Sequence, residues 1–177
     1  MVSPDRAVFD WFTDHRDPTL TTMMKLATDI GRTVPLIIVA VVAVGALVLV
    51  RRPVQAAMVG VGCVTGYAVL VLLKNVVQRP RPPAVDAVAH ESSWSFPSGH
   101  AMMSAIVFGL IAMTLMWNTG HRLWLVVAAV ASAVIGTSRL YLGVHWFSDV
   151  LAGWSIGAVW VLMLAWLFGR ARTAESG

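Results

Sequence analysis

Five long runs of apolar residues, separated by short polar segments, dominate this chain. None of the runs contains Asp, Glu, Lys or Arg, and they cover residues 33–50, 54–73, 101–120, 123–138 and 150–169. Most are close to the ~17–25 residues that a helix needs to cross a bilayer. Uncharged helices satisfy their backbone polar groups internally, as a lipid environment requires. The pattern therefore predicts an all-α polytopic membrane helix bundle with five transmembrane helices, and a water-soluble helical core is the alternative.

The first 32 residues have a different pattern, in which apolar and charged side chains are mixed. Residues 5–16 combine aromatic with acidic side chains, which is typical of a helix that lies in the membrane interface. Asp17 and Pro18 then offer a helix N-cap and a first-turn proline, and Gly31 can end the helix that follows. We expect N-terminal amphipathic helices here, and plain surface helices without a functional role are the alternative.

Composition supports a membrane protein. Of the 177 residues, 58% are hydrophobic and 12% are charged, whereas soluble domains are about half apolar and about a quarter charged. The net charge of +4 could indicate nucleic-acid binding, but the basic residues lie at the ends of apolar runs and no basic stretch has interleaved aromatics. We therefore expect the bilayer, and no nucleic acid, as a partner.

The distribution of positive charge predicts the orientation of the chain in the membrane. Basic residues between the first and second runs, between the third and fourth, and after the fifth would all lie on one side, which the positive-inside rule makes cytoplasmic; they are Arg51, Arg52, Arg122, Arg170 and Arg172.

The predicted organisation is interfacial helices over residues 1–32, a transmembrane domain over 33–170 and a cytoplasmic tail over 171–177.

Three short polar segments at the opposite ends of these runs carry the candidate chemistry. They are Lys74 to Pro82 (KNVVQRPRP), Pro97 to His100 (PSGH), and Ser138-Arg139 followed by His145 and Asp149. A phosphate-ester site needs positive charge for the oxygens, a nucleophile and a proton donor. Lys74, Arg81 and Arg139 can supply the charge, the arginines through a planar fork. The alternative for each is a side chain that snorkels to the lipid headgroups.

His145 and Asp149 are four residues apart at the start of the last run. On a helix they would share one face, with Cβ atoms about 5–6 Å apart. The carboxylate would select the imidazole tautomer and leave the other ring nitrogen nucleophilic. A structural His–Asp pair is the first alternative. A metal site is the second, although nearby cations would oppose a dication and the spacing matches no zinc pattern.

His100 follows Ser98 and Gly99 at the start of another run. Glycine permits close backbone approach, and amides at a helix N-terminus point at bound anions. The serine adds a hydroxyl donor, and the histidine can protonate a leaving oxygen. The alternative is a turn and N-cap that carries an interfacial histidine.

Taken in order, the three segments resemble the signature of the PAP2 superfamily, the type 2 phosphatidic acid phosphatases. That signature is K-x6-RP, PSGH and SR-x5-H-x3-D, and every fixed position matches. The resemblance implies a metal-independent phosphoester or pyrophosphate hydrolase without a cofactor. It implies that His145 attacks phosphorus to form a phosphohistidine, that Asp149 orients it, and that His100 protonates the leaving oxygen. The implied phosphate-binding residues are Lys74, Arg81, Ser98, Gly99 and Arg139.

The resemblance also implies a lipid substrate, and a site on the extracytoplasmic face of a bacterial inner membrane. Undecaprenyl or another polyprenyl pyrophosphate is the expected substrate, and phosphatidylglycerophosphate or phosphatidic acid is the alternative. A lipid transporter with the same fold is disfavoured by the intact His100, His145 and Asp149, and a soluble haloperoxidase by the five apolar runs. Family members usually have six membrane helices, so the N-terminal topology stays open, including a helix before Met1.

Two further patterns concern packing and the borders of the site. Gly62 and Gly66 form a G-x-x-x-G motif, as do Gly153 and Gly157, and such motifs allow helices to approach closely. We expect both to pack within the chain, with dimerisation as the alternative. Trp94 and Trp146 are expected to flank the site.

Overall fold

The structure is a computed structural model that describes residues 3–83, 87–88 and 91–175. Within those ranges the chain forms helices and no strand, which confirms the all-α prediction. The helices are α1 Pro4–Asp14, α2 Pro18–Ile30, α3 Thr33–Leu49, α4 Pro53–Val77, α5 Gly99–Thr119, α6 Leu123–Tyr141 and α7 Phe147–Glu175. Most of the predicted tail over 171–177 is thus a continuation of α7, and residues 176–177 lie outside the described residues.

Four helices, α4 to α7, are each long and apolar enough to cross a membrane. The first predicted span corresponds to α3, which has 17 residues and is bent by 50° relative to α2. The two helices together form a candidate fifth span, so the prediction of five holds if α2 and α3 act as one broken span. The predicted caps of α2 are present, since Asp17 Oδ1 accepts the Leu20 amide at 2.9 Å and Gly31 is the C-cap.

Helix α5 lies at the centre of the bundle and packs against α3, α4, α6 and α7. Its core side chains Met102, Ile106 and Leu110 are fully buried and meet Met58 and Val59 of α4. The outward faces carry exposed valines, leucines and isoleucines along most of the bundle. Apolar side chains on both the inner and outer faces are expected where lipid replaces water around a helix bundle.

Both glycine motifs face neighbours in the same chain. A Cβ on Gly62 of α4 would lie 2.5 Å from Leu110 Cδ1, and one on Gly153 of α7 would lie 2.9 Å from the Ser98 carbonyl oxygen. The contact at Gly153 is with backbone, so only glycine fits there, whereas at Gly62 the end of the Leu110 side chain would have to move. The motifs therefore serve the predicted intramolecular packing, and Gly153 brings the start of α7 against the start of α5.

The alternating helix directions place the three polar segments at one end of the bundle. Helices α4 and α6 end there, and α5 and α7 begin there, with the Ser98 amide donating to the Asp149 carbonyl at 3.0 Å. At the other end, Gln55 and Asn118 exchange two amide hydrogen bonds of 3.1 and 2.9 Å between α4 and α5. The chemistry predicted from three distant segments thus shares one end of the molecule.

Candidate active site

His145 lies in the turn between α6 and α7 and is almost fully buried. Its Nδ1 is 3.5 Å from Asp149 Oδ2 and 3.4 Å from Ser95 Oγ, and its Nε2 is 3.2 Å from Arg81 Nη1. Because a guanidinium can only donate, Nε2 is the acceptor and the ring proton belongs on Nδ1, facing Asp149. The prediction that the two residues share one face of a helix is wrong, because α7 begins only at Phe147 and a turn brings them together.

Asp149 lies in the first turn of α7 with both carboxylate oxygens engaged. Oδ2 accepts the Ser95 hydroxyl at 2.5 Å and the Trp146 amide at 3.0 Å, while Oδ1 accepts Arg79 Nη1 at 2.6 Å. The side chain is fully buried. A buried carboxylate needs such partners, and three donors fix its orientation toward His145.

Sequence reasoning missed Ser95 and Arg79. Ser95 lies two residues before Pro97, just outside a motif, and Arg79 occupies a variable position within the K-x6-RP motif. Their proximity to the motifs was the available signal. What the sequence could not indicate is that both side chains converge on Asp149, about 50 to 70 residues further along the chain.

Burial and, to a smaller extent, the charges of Arg81 and Arg139 lower the pKa of His145 to about 3, although Asp149 opposes these effects. The ring is therefore neutral at pH 7, as a nucleophile requires. We expect no titration of His145 between pH 5 and 8 in NMR spectra of histidine-labelled protein, with its signal assigned through His145→Gln. A midpoint near the ordinary value of about 6.5 would contradict this.

The same shift has a consequence for stability. The folded-state pKa of His145 lies below its unfolded value of about 6.5, so the unfolded chain binds the proton first as the pH falls. The contribution of the neutral ring to the free energy of unfolding is therefore complete above about pH 6.5. It declines as the pH falls toward 3.

The predicted cations Lys74 and Arg81 border the site. Arg81 Nη1 donates to the Val144 carbonyl and Nε to the Ser93 carbonyl, both at 2.6 Å, and the Lys74 ammonium donates to the Trp94 carbonyl. Carbonyl oxygens are neutral acceptors, so the positive charge of both side chains is not offset by these contacts. Both groups can therefore attract an anion beside His145.

Arg139 ends α6 and is 2% exposed. Its guanidinium donates to Thr28 Oγ1 of α2 and pairs with the Glu91 carboxylate. The alternative in which Arg139 snorkels to the membrane surface is therefore wrong. The residue belongs to the buried part of the site, as the motif implied.

Three polar atoms at this end of the bundle are buried and have no hydrogen-bond partner within the described part of the chain: Ser98 Oγ, His100 Nε2 and Arg139 Nε. Buried polar atoms are nearly always paired, so each requires an explanation. Ser98 is the N-cap residue of α5, yet its side chain caps no amide. An anion bound at the start of α5 would pair with such donors, because helix N-termini attract negative charge. All three residues were predicted for the site.

A cavity of about 860 Å³ runs from His100 into the membrane-spanning part of the bundle. Lys74, Arg81, His100 and His145 lie at its polar end, and apolar side chains of α3, α4 and α5 line the rest. Trp94 borders the cavity, and Trp146 adjoins His145 with its Nε1 donating to the Pro80 carbonyl at 3.0 Å. The expected flanking positions of the two tryptophans are thus found.

The N-terminal helices contact the site directly. Asp5 of α1 pairs with Arg79, and Thr28 of α2 binds Arg139. The Tyr141 hydroxyl accepts the Asp17 amide at 2.8 Å, which joins α2 to the end of α6. Nothing in the sequence of the N-terminal segment indicated these contacts.

No three His, Cys, Asp or Glu side chains come together as metal ligands in residues 3–83, 87–88 and 91–175. The site offers instead a set of cations, hydroxyls and helix amides around a neutral histidine. Such a donor set fits an oxyanion. Metal independence stays a prediction.

Fold and site together define a polytopic helical membrane protein with a buried histidine among cations and hydroxyls at one end of the bundle. The chain belongs to the PAP2 superfamily, whose family model matches residues 55–173. The resemblance carried by the three motifs is thereby confirmed.

Known proteins of this family provide the context. Phosphatidylglycerophosphatase B of Bacillus subtilis is 42% identical over 91 residues, which are 49% of this chain and 44% of that protein. An undecaprenyl-diphosphatase of Sulfolobus acidocaldarius is 28% identical over 116 residues, 60% of this chain and 53% of that protein. This chain thus spans about half the length of these curated relatives.

A solved structure is similar over nearly the whole chain. The crystal structure of a transmembrane PAP2 type phosphatidylglycerolphosphate phosphatase from Bacillus subtilis has a TM-score of 0.87 and 29% identity. The match covers 94% of this chain and 85% of that chain.

Proposed function

We propose that this protein is a membrane lipid phosphatase that hydrolyses a headgroup phosphate or pyrophosphate through a phosphohistidine intermediate. One observation carries the proposal: a buried neutral histidine, His145, lies at the polar end of a cavity whose remainder is apolar. The polar end suits a phosphate, and the apolar part suits the lipid chain that bears it. Membership of the PAP2 superfamily supports the same chemistry.

In the first step, the lone pair of His145 Nε2 attacks phosphorus and forms an N–P bond while the bond to the leaving oxygen breaks. His100 enters this step as the imidazolium, whose charge the bound phosphate stabilises, and donates its proton to that oxygen. The ring of His145 becomes positively charged, and Asp149 on the Nδ1 side stabilises this charge. Arg81, which lies 3.2 Å from Nε2 in the free protein, turns its donors to the phosphate oxygens.

In the second step, a water molecule gives a proton to His100 and attacks the phosphorus. The N–P bond breaks, its electron pair returns to Nε2, and inorganic phosphate leaves. Both histidines regain their starting protonation states, so the cycle needs no further reactant.

The predicted phosphate-binding groups surround this reaction. Lys74, Arg81 and Arg139 supply positive charge, and the Ser98 hydroxyl and the Gly99 amide supply neutral donors at the start of α5. Removal of one such donor costs about 2.7–4 kcal/mol of transition-state stabilisation. The unpaired Ser98 Oγ and Arg139 Nε support a role in holding the anion.

The proposed substrate is a polyprenyl pyrophosphate, such as undecaprenyl pyrophosphate, which is hydrolysed to the monophosphate. The cavity is lined by apolar side chains of α3, α4 and α5, which suits a prenyl chain. The undecaprenyl-diphosphatase among the relatives supports this choice. Phosphatidylglycerophosphate is the second candidate, because the relative from Bacillus subtilis with that activity in its name has the same fold at a TM-score of 0.87.

The proposed location is a bacterial inner membrane with the site on the extracytoplasmic face. Arg51 and Arg52 precede α4, Arg122 precedes α6, and Arg170 lies near the end of α7, all away from the site. The positive-inside rule places that end in the cytoplasm. A site outside the cytoplasm agrees with the proposed substrate, a polyprenyl pyrophosphate carrier lipid that awaits recycling.

The test is phosphate release by the detergent-solubilised protein in EDTA. Undecaprenyl pyrophosphate, phosphatidylglycerophosphate and phosphatidic acid are offered in parallel. We expect EDTA-resistant release, fastest from the pyrophosphate, because the cations and hydroxyls of the chain replace a metal at the phosphate. Release that depends on an added divalent ion would contradict the mechanism, and faster release from phosphatidylglycerophosphate would favour the second substrate.

A further inference from the structure

A carboxylate of the N-terminal helix caps the helix that carries Asp149. Asp5 of α1 accepts the Ser148 backbone amide through Oδ1 and the Ser148 hydroxyl through Oδ2, both at 2.8 Å. Ser148 lies in the first turn of α7, where backbone amides lack partners within the helix. A carboxylate there satisfies an amide and interacts favourably with the helix dipole. The cap of α7 is thus supplied by a residue more than 140 positions away in the sequence.

Arg79 links this carboxylate to Asp149. Its Nη2 donates to Asp5 Oδ2 at 2.7 Å, and its Nη1 donates to Asp149 Oδ1 at 2.6 Å and to Ser148 Oγ at 2.7 Å. The rigid guanidinium fork therefore spans two carboxylates from two helices. If Asp5 lost its charge, Arg79 would pair with one carboxylate instead of two. The orientation of the Arg79–Asp149 pair would then no longer be fixed.

The hydrogen bonds from Ser148 and Arg79 also act on Asp5 itself. Burial alone would raise the pKa of Asp5, but these contacts hold it below the ordinary value. Asp5 is therefore ionised at neutral pH, which the pairing with Arg79 requires.

Aromatic packing adds a second point of contact between α1 and the same turn. The ring of Phe9 lies 5.7 Å from that of Trp146, centroid to centroid, and Phe9 is buried. Trp146 follows His145 directly, and its ring lies 5.8 Å from the Arg79 guanidinium. Helix α1 therefore covers residues 146–148, the segment that joins His145 to Asp149.

We infer that α1 is a positioning element for the active site: Asp5, acting through Ser148 and Arg79, fixes the orientation of Asp149 and so that of His145. The inference rests on the proposed function. The described residues that line the cavity include neither Asp5 nor Arg79. Asp5 should therefore affect the rate of attack on phosphorus and leave substrate binding nearly unchanged.

The test compares Asp5→Asn with Asp10→Asn in the full chain in detergent. Both replace an acid on α1, but Asp10 pairs with its neighbour Arg6, at 2.9 Å on the exposed surface. In Asp5→Asn the new amide group faces Arg79 or Ser148 with a donor instead of an acceptor. We expect kcat to fall about 10- to 100-fold with KM within about twofold, since supporting partners and small misplacements have effects of this size. Asp10→Asn should match the wild type.

A second variant and a binding measurement separate positioning from a general loss of structure. Inhibition by inorganic phosphate should be unchanged in Asp5→Asn, because the anion site does not contain Asp5. In an Arg79→Gln background, Asp5→Asn should lower kcat little further, since the two residues act through one another. A single-turnover measurement should show slower formation of the phosphohistidine.

Different results overturn different claims. If the wild type releases phosphate and Asp5→Asn keeps the kcat of Asp10→Asn, the positioning role is wrong and the proposed function stands. The role is equally wrong if Asp5→Asn acts through KM or weakens phosphate inhibition as strongly as it lowers kcat. If the wild type releases no phosphate from any of the lipids, the proposed function fails, and the inference with it.

Discussion

Replacement of His145 by alanine is expected to reduce phosphate release at least about 10⁴-fold, because removal of a nucleophile removes the covalent route. The variant should still bind inorganic phosphate, since Lys74, Arg139 and the start of α5 remain in place. Phosphate release in single-turnover and steady-state assays measures the first effect, and competition by inorganic phosphate measures the second.

The matched control is His121→Ala, which removes an exposed histidine between α5 and α6 at the opposite end of the bundle. It should retain the wild-type rate. A His145→Ala variant that keeps a near-normal rate would show that another group attacks phosphorus. If the variant lost both phosphate binding and turnover, His145 would instead have a structural role.

Asp149→Asn is expected to lower kcat by about 10⁴-fold, as an amide does when it replaces the carboxylate that orients a reactive histidine. The amide cannot satisfy its surroundings in either orientation. Its NH2 group would face the donor Arg79 on one side, or the donors Ser95 and the Trp146 amide on the other. The positive charge that forms on His145 would also lose its stabilising anion.

Steady-state kinetics with the preferred lipid provide the measurement for Asp149→Asn. Asp14→Asn, which changes an exposed acid at the end of α1, is the control and should have no effect. A loss smaller than about tenfold for Asp149→Asn would mean that the carboxylate serves mainly to bind Ser95, Arg79 and the Trp146 amide.

The membrane bundle could be predicted from the sequence because long uncharged runs form few structures other than spanning helices in lipid. The caps of α2 were equally predictable, since Asp17, Pro18 and Gly31 are strong local signals. The bend of 50° between α2 and α3 was not predictable, because no local sequence signal sets the angle between two helices.

The site could be predicted as a set of residues but not as a geometry. The motifs brought His100, Arg139 and His145 to one end of the bundle, as expected. The predicted contact between His145 and Asp149 is present, but a turn and not a shared helix face makes it, because the sequence does not show that α7 begins at Phe147. Helix boundaries are the least certain part of such a prediction.

The partners of the site residues were beyond prediction for a different reason. Two ion pairs join segments that are far apart in the chain: Glu91 pairs with Arg139, and Asp5 pairs with Arg79. Local patterns contain no information on such pairs. A buried charge nevertheless requires partners, so the burial of Arg139 and Asp149 explains why acids, hydroxyls and an arginine surround them.

The most direct test of the central claim is rapid acid- or base-quench of the enzyme with a lipid substrate labelled in its terminal phosphate. The proposed mechanism predicts a protein-bound label that survives base, is lost in acid, and maps to His145. It should form at least as fast as steady-state turnover and be absent from His145→Ala. Turnover without any bound label, or a label on a different residue, would contradict attack by His145.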